Sequence, residues 1–513
     1  MNGFHLDLKR SMPSREYVEH VVKTVRSFGI DTILLEFEDK ILIDWLTPEV
    51  HPDHWTANDV QWFLQLAKRN HITVIPMIPM MGHMEWILQW PRWAHLRENH
   101  DPREICPLHP ETPAFLRRFL QTALDLFPDA PLIHIGGDET RALGSCSRCK
   151  ATKKSKSKIY LDHFLPLIRQ VESAGRRATV YGDIFLAHPE ILPHLPRSAV
   201  ICDWDYRSAT GLGQTVWGYR NITKPKQLDT LPPRLRRFRR YFLDRNGTFV
   251  PFPYAAFLKD QGFDVILLSA ARCIGDNYCV PQTLRHIQNT TAAARRAREL
   301  NLMGTIVTDW AVRYDHVETT LPAAAASAWT YQDPQLTTEE LAERFAEEYF
   351  GCRWPTIIHD LNLLAPILPD IQANDQNTSP GGIVRPYIRA MYSDPNGWPC
   401  KDVSSTLAKV KQSYQRGLKR LRKQAPKIQR NQDAFALWML AAETLVHKAA
   451  AVPTIMKLAQ GKRVPPAAKQ KRIGEIRQLC RKHKKLFGKT FLPVSVETEI
   501  RLRFTESLEL LQA

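Results

Sequence analysis

The sequence predicts an α/β chain: a (β/α)8 barrel of the TIM type over residues 1–330, followed by an α-helical domain over residues 331–513. Three observations predict it. Eight short apolar runs recur through the first 330 residues, most of them separated by segments with apolar positions at helical spacing. Those runs are near-continuous in apolar residues, as strands of a parallel sheet covered on both faces must be. Beyond Trp329 the strand-like runs stop and helical patterns take over. An open doubly wound sheet is the alternative, but no Gly-rich phosphate loop follows the first run.

The elements follow in order. "GFHLDLK" is the first strand, and "SREYVEHVVKTVRSFG" a helix with Val18, Val21, Val22, Val25 and Phe28 on one face, closed by Gly29. "DTILLEFED" is the second strand. "TANDVQWFLQLAKRN" is the second helix, with Thr56 as its N-cap. "ITVIPMIPM" is the third strand, and "TPAFLRRFLQTALDLF" carries Pro113 in the first turn of the third helix. "LIHIGGDE" is the fourth strand, and "KIYLDHFLPLIRQVESAG" the helix after it, ending at Gly175. "RATVYGDIF", "SAVICDWDY", "FDVILLSA" and "LMGTIVTDW" are strands five to eight. "PQTLRHIQNTTAAARRAREL" lies between the last two, and "LPAAAASAW" closes the ring. The connection from Arg207 to Gly262 is long and rich in Pro, Arg and aromatics, so in a barrel it would overhang one rim. "TTEELAERFAEEYFG", capped by Thr337 or Thr338, opens the helical domain. The Pro/Gly/Asn-rich stretch 374–387 interrupts it.

Composition narrows the class. With 513 residues, 44% hydrophobic and 24% charged, the chain has the make-up of a globular protein. No uninterrupted apolar run reaches the roughly 18 residues of a membrane span, and "MNGFHLDLKR" lacks the charged and apolar regions of a signal peptide. A cytoplasmic location without a membrane partner is therefore expected. The net charge of +17 is local: residues 401–513 hold 25 Lys and Arg against 8 Asp and Glu, leaving the first 400 residues balanced at 45 against 45. The basic runs "RGLKRLRKQAPK" and "RKHKKLFGKT" fall on helices and come with no nucleic-acid motif, so solvated helix faces are expected rather than a nucleic-acid partner. The nine cysteines are scattered, and only Cys146-x-x-Cys149 has a suggestive spacing. A structural zinc site needs four ligands, and no second Cys-x-x-Cys or His pair follows at a suitable distance. The pair is therefore expected to be plain thiols in a loop, with no metal and no cofactor.

In a barrel, function gathers at the C-terminal ends of the strands. Those ends supply Asp7 and Lys9; Glu36, Glu38 and Asp39; His83; Asp138 and Glu139; Asp183; Asp203 and Asp205 with Trp204 and Tyr206; and Asp309 with Trp310. Carboxylates that bind hydroxyls or move protons, together with aromatic faces that pack on pyranose rings, suit sugar chemistry. Asp138 and Glu139 are neighbours, and neighbours on a regular strand point to opposite faces. They cannot flank a glycosidic bond as two separate carboxyls do, about 5 Å apart for retention. Gly136 and Gly137 permit a bend just before the pair. A division of labour then fits, with one carboxylate as acid/base and the other orienting a nucleophilic acetamido group of the substrate.

"HIGGDET" resembles the signature of family 20 glycoside hydrolases, the β-N-acetylhexosaminidases. "HLDLKR", "LLEFED", "IPMMGHMEWIL", "ICPLHPET", "WDY", "RHIQN" and "TDWAVRYDH" resemble, in order, the hexosaminidase D branch over roughly residues 3 to 330. The resemblance implies a retaining, exo-acting β-N-acetylhexosaminidase that removes terminal GlcNAc or GalNAc from a glycan or glycoconjugate through an oxazolinium intermediate. It implies that Glu139 is the general acid/base and that Asp138 orients the acetamido group. His83 and His134 are implied as supporting residues, and Asp183 carries over. Trp310 is implied as an aromatic wall of the acetamido pocket. Tyr206, or else Tyr278, would donate to the acetamido oxygen, Lys9 or Arg10 would bind hydroxyls, and Trp204 joins the sugar-binding set. The neighbouring charge of Asp138 should help to keep Glu139 protonated. The alternatives are a barrel glycosidase for another sugar, and a non-catalytic carbohydrate or nucleic-acid binder. Whichever reading holds, the chain could act as a homodimer.

Overall fold

The computed structural model describes the chain except residues 10, 48, 274–275, 278, 311–315 and 369–402, and the side chains of 403–405. Arg10, Tyr278, part of "TDWAVRYDH" and the stretch 374–387 lie outside the described residues.

Eight parallel strands close a barrel: β1 (Asn2–Asp7), β2 (Thr32–Glu36), β3 (Thr73–Met77), β4 (Leu132–His134), β5 (Arg177–Tyr181), β6 (Val200–Trp204), β7 (Asp264–Arg272) and β8 (Gly304–Asp309). Sequential neighbours pair all the way round. Asn2 opposite Thr305 closes the ring, and Asp7 opposite Glu36 sets two carboxylates side by side at the rim. Alternate residues of each strand face opposite sides. Leu34, Ile75, Leu132, Tyr181, Cys202, Ile266 and Ile306 fill the cylinder. Ile33, Val74, Ile133, Val180, Ile201, Val265 and Val307 pack outward against the helices. Continuing the inward register one step brings Glu36, His134 and Trp204 to the C-terminal mouth, and on β1 it brings His5 and Asp7 there.

The helices obey the local rules read from the sequence. α1 (Arg15–Ser27) starts at the Ser14 cap, and α2 (Ala57–Arg69) has a full capping box between Thr56 and Asp59. α3 (Thr112–Leu126) carries Pro113 in its first turn, and α4 (Lys156–Ser173) follows β4. After β5 a five-residue helix, α5 (Asp183–Ala187), takes the place of a long one. The β6–β7 connection forms a hairpin (Gln214–Val216 with Arg220–Ile222), several single turns and α6 (Pro253–Asp260). α7 (Thr283–Glu299) and α8 (Leu321–Gln332) complete the ring.

Thr337, not Thr338, caps the next helix (Thr338–Phe350), again with a capping box. The long helices that follow are Val403–Gln424, Gln432–Ala459, Pro466–Phe487 and Pro493–Gln512. Gln432–Ala459 is long and apolar enough to cross a membrane by length and composition, yet 67% of its apolar window is buried among its neighbours. Some of the basic residues here pair across helices, as Lys482 does with Glu443 at 2.6 Å and Lys489 with Asp433 at 2.7 Å. The last helix docks beside the β1–α1 turn. Met12 N donates to Ser495 Oγ at 2.9 Å, and Ser495 N donates to Asp53 Oδ2 at 2.6 Å.

Candidate active site

The site is built where β4 ends. The strand stops at His134, and Gly136 and Gly137 then take positive φ angles of 67° and 107°. At Gly137 a Cβ would also meet the Tyr160 hydroxyl at 2.5 Å. Two residues on, Glu139 itself is left-handed at φ 49°, a conformation costly for a side chain with a Cβ and concentrated at functional sites. The bend expected from the two glycines is thus continued by Glu139, and neighbouring carboxylates come to share one partner. His83 Nε2 lies 3.4 Å from Asp138 Oδ2 and 3.6 Å from Glu139 Oε2. His83 is also left-handed, at φ 56°. The β3 segment reaches the pair because Gly82 has no side chain; a Cβ there would sit 2.6 Å from the Asp138 carbonyl oxygen.

Two further side chains fix Glu139. Arg141 Nη2 donates to Oε1 at 3.1 Å, and the Glu139 backbone N–H donates to Asp183 Oδ2 at 3.0 Å. The electrostatics correct one expectation. The hydrogen-bonding contact from His83, aided by its charge and that of Arg141, outweighs burial and holds Glu139 below the ordinary carboxylate range. Burial disfavours charge on His83, but the adjacent Asp138 carboxylate and the contact with Glu139 keep it well above the ordinary histidine value. The group pushed up is Asp183, to about 8, by burial and then by the charge of Asp138. Like-charge repulsion therefore acts on Asp183, while His83 screens Asp138 from Glu139.

A second group at the strand ends is aromatic. Trp310 Nε1 donates to the Tyr206 hydroxyl at 2.8 Å. Trp204 lies 5.2 Å from Tyr206 and 4.4 Å from Trp217, centroid to centroid. Trp217 comes from the long β6–β7 connection, which therefore does overhang this rim. It had no periodicity to single it out, and an isolated tryptophan in a Pro/Arg-rich loop was the only signal. Burial keeps the Tyr206 hydroxyl protonated well beyond neutrality, so it remains a donor.

Lys9 sits lower, in a charged cluster. Its Nζ is 3.0 Å from Glu36 Oε1 and 3.2 Å from Glu38 Oε1, and it lies 5.9 Å from the Trp310 ring. Burial works against its charge, but Glu36, Glu38 and Asp7 outweigh it and raise its pKa well above the usual lysine value. Glu36 is buried, yet Lys9 and His5 pull it down to about 2. His134 accepts the Gly136 N–H at Nδ1, 3.0 Å, and burial drives it down to about 3. It is therefore neutral with the proton on Nε2, which is buried without a hydrogen-bond partner among the described residues. The neighbouring Tyr181 ring is at 4.3 Å. His134 thus supports the bend and the barrel mouth rather than touching the carboxylate pair.

Among the described residues, side chains able to hold a metal gather in three places: Cys273, Asp276 and His286; His5, Asp7 and Glu36; and Glu98, Cys106, Cys146 and Cys149. In the first, His286 Nε2 already lies 2.9 Å from both Asp276 oxygens, and in the second Glu36 is taken by His5 and Lys9. The third adds neighbours that the Cys146-x-x-Cys149 spacing alone did not reveal. Cys106 and Glu98 stand beside them, from a segment 40 to 50 residues earlier whose spacing carries no zinc pattern.

Barrel and rim together define a (β/α)8 domain with an Asp-Glu pair, further carboxylates and aromatic rings at its strand ends. Residues 3–229 match the family model for the catalytic domain of glycosyl hydrolase family 20. Hexosaminidase D of Homo sapiens is 27% identical over 331 residues, 62% of this chain and 61% of that protein. Hexosaminidase D of Bos taurus is 31% identical over 169 residues, 32% of this chain and 49% of that protein. The matches thus span about three fifths and one half of those relatives. A solved β-N-acetylhexosaminidase from Bacteroides fragilis superposes with a TM-score of 0.48 at 17% identity, over 67% of this chain and 69% of that one. Residues 3–229 are thus similar to the catalytic domain of glycosyl hydrolase family 20, and the barrel is similar in sequence to hexosaminidase D.

Proposed function

We propose that the chain is a retaining exo-β-N-acetylhexosaminidase that uses the acetamido group of its substrate as nucleophile. The observation that carries this reading is the shared contact of His83 with Asp138 and Glu139. Two neighbouring carboxylates gathered on one histidine fit a site in which one acts as acid/base and the nucleophile comes from the substrate. Asp138 accepts the acetamido N–H and stabilises its positive charge as the carbonyl oxygen closes on C1. Glu139 gives its proton to the departing oxygen as the C1–O bond breaks. Glu139 then takes a proton from water as that water adds to C1 and reopens the oxazolinium ring. The proton for the first step resides on the His83–Glu139 pair, one transfer from Oε2. Tyr206 donates to the acetamido oxygen, Trp310 and Trp204 wall the pocket, and Trp217 closes it from above.

A chromogenic assay with aryl β-GlcNAc and β-GalNAc tests this. Turnover of either sugar is expected, with inhibition by the thiazoline that mimics the oxazoline. Glu139→Gln should lower kcat by about 100-fold or more. Asp138→Asn should lower kcat while leaving aglycone binding unchanged. No turnover of either sugar by folded protein between pH 4 and pH 8 would sink the assignment.

A further inference from the structure

The loop that follows the Asp-Glu pair runs through Arg141 and Ala142 to Cys146 and Cys149. Cys106 and Glu98 come from the hairpin Arg97–Glu98 with Asp101–Ile105 and the turn after it. Cys106 Sγ is 3.7 Å from Cys146 Sγ and 3.8 Å from Cys149 Sγ, and Cys149 Sγ is 3.3 Å from Glu98 Oε2. Zinc with Zn–S bonds of about 2.3 Å and a Zn–O bond of about 2.0 Å holds sulfurs about 3.8 Å apart and sulfur and oxygen about 3.5 Å apart in a tetrahedron. A disulfide would need about 2 Å between sulfurs.

Three features distinguish this from thiols in chance contact. Glu98 is fully buried at 0% exposure, and no Lys, Arg or His pairs with it among the described residues. A carboxylate in that position is costly without a cation. Its Oε1 accepts the Cys146 N–H at 2.7 Å, which turns Oε2 toward the sulfurs. The Cys149 N–H donates to Cys146 Sγ at 3.4 Å, and Arg148 Nη1 lies 3.7 Å from Cys106 Sγ. These donors stabilise negative charge on sulfur, as the surroundings of a metal–thiolate site do. We propose that Cys106, Cys146, Cys149 and Glu98 form a structural zinc site.

The site joins both walls of the Asp-Glu centre. Ile105 N donates to Met81 O at 3.0 Å and Met84 N donates to Arg103 O at 3.0 Å, so the hairpin supports the segment carrying His83. Glu104 Oε1 accepts the Ala142 N–H at 2.6 Å, just beyond Arg141. A zinc ion would fasten that hairpin to the loop on the far side.

The test is metal analysis of the full chain, expressed with added zinc and purified under reducing conditions without chelator. One zinc per chain is expected, lost in Cys106→Ser and in Cys149→Ser and kept in Cys480→Ser, which lies in a distant helix. Cobalt(II) exchanged into the wild type should give thiolate charge-transfer absorption and intense tetrahedral visible bands. These two wild-type measurements decide the matter even if the serine variants fail to fold. The proposal is overturned if the wild type carries no metal after incubation with zinc, if cobalt gives no thiolate band, or if mass analysis finds a disulfide between Cys106 and either partner. None of these readouts depends on whether the barrel hydrolyses hexosaminides.

Discussion

Asp183 accepts the backbone N–H of Glu139 at 3.0 Å through Oδ2. Its other oxygen is buried without a hydrogen-bond partner among the described residues. The contact pins the one left-handed residue of the Asp-Glu pair, and it needs an acceptor rather than a charge. Asp183→Asn should therefore retain most of the activity. Asp183→Ala should lower kcat by about 10- to 100-fold, the equivalent of about 1–3 kcal/mol for an orphaned buried donor. Equal losses in the two variants would show that the charge matters instead.

The pH profile follows from His83. Glu139 is held ionised below its usual range by a histidine that stays protonated above its own. The acid form of Glu139 is therefore favoured as pH falls, and activity should decline on the alkaline side. Removing the cation in His83→Asn raises the Glu139 pKa, so the alkaline limb of kcat/KM should move to higher pH. A limb that stays put, or moves down, contradicts this electrostatic reading.

Tyr206→Phe removes the acceptor of the Trp310 N–H and the hydroxyl proposed to meet the acetamido oxygen. Both kcat/KM and thiazoline affinity should fall by about 10-fold, since a hydrogen bond in such a pocket contributes about 1–1.5 kcal/mol. If inhibitor affinity is untouched, Tyr206 is only packing.

Lys9 is the cation for two carboxylates that are almost wholly buried. Lys9→Met should destabilise the fold by about 3–5 kcal/mol at pH 7, because buried Glu38 loses the Lys9 ion pair and Glu36 keeps only His5. Glu38 takes up a proton readily, since burial and the Glu36 and Asp7 charges raise it well above its usual value. The loss should therefore shrink as pH falls, a trend that urea melts at two pH values would reveal.

The barrel was legible because its signals are local and periodic. Apolar runs such as "DTILLEFED", the Thr56 capping box and Pro113 each act within a few residues of themselves. Asp138 and Glu139 could be picked out for the same reason: two glycines precede them. What escaped the sequence lies between distant segments. His83 could be named as a strand-end residue and through the resemblance, but its contact with both carboxylates, made from 55 residues away past Gly82, had no local signal. Trp217 arrives from a loop without period, and Cys106 and Glu98 join Cys146 and Cys149 through a hairpin. The direction of the Glu139 shift was missed because adjacency suggested repulsion, whereas an interposed imidazole reverses it.

The contact between Met12 and Ser495 spans 483 residues. It bears on how the molecule is made. The turn after β1 is made long before the helix Pro493–Gln512, so its backbone donor waits for that helix. β1 waits likewise for β8, opposite Thr305. Such remote pairing slows folding and leaves strand edges exposed in the growing chain. A ribosome-bound chain halted before Pro493 should still be an open substrate for chaperones and proteases, and emergence of the helix Pro493–Gln512 would mark the moment of closure.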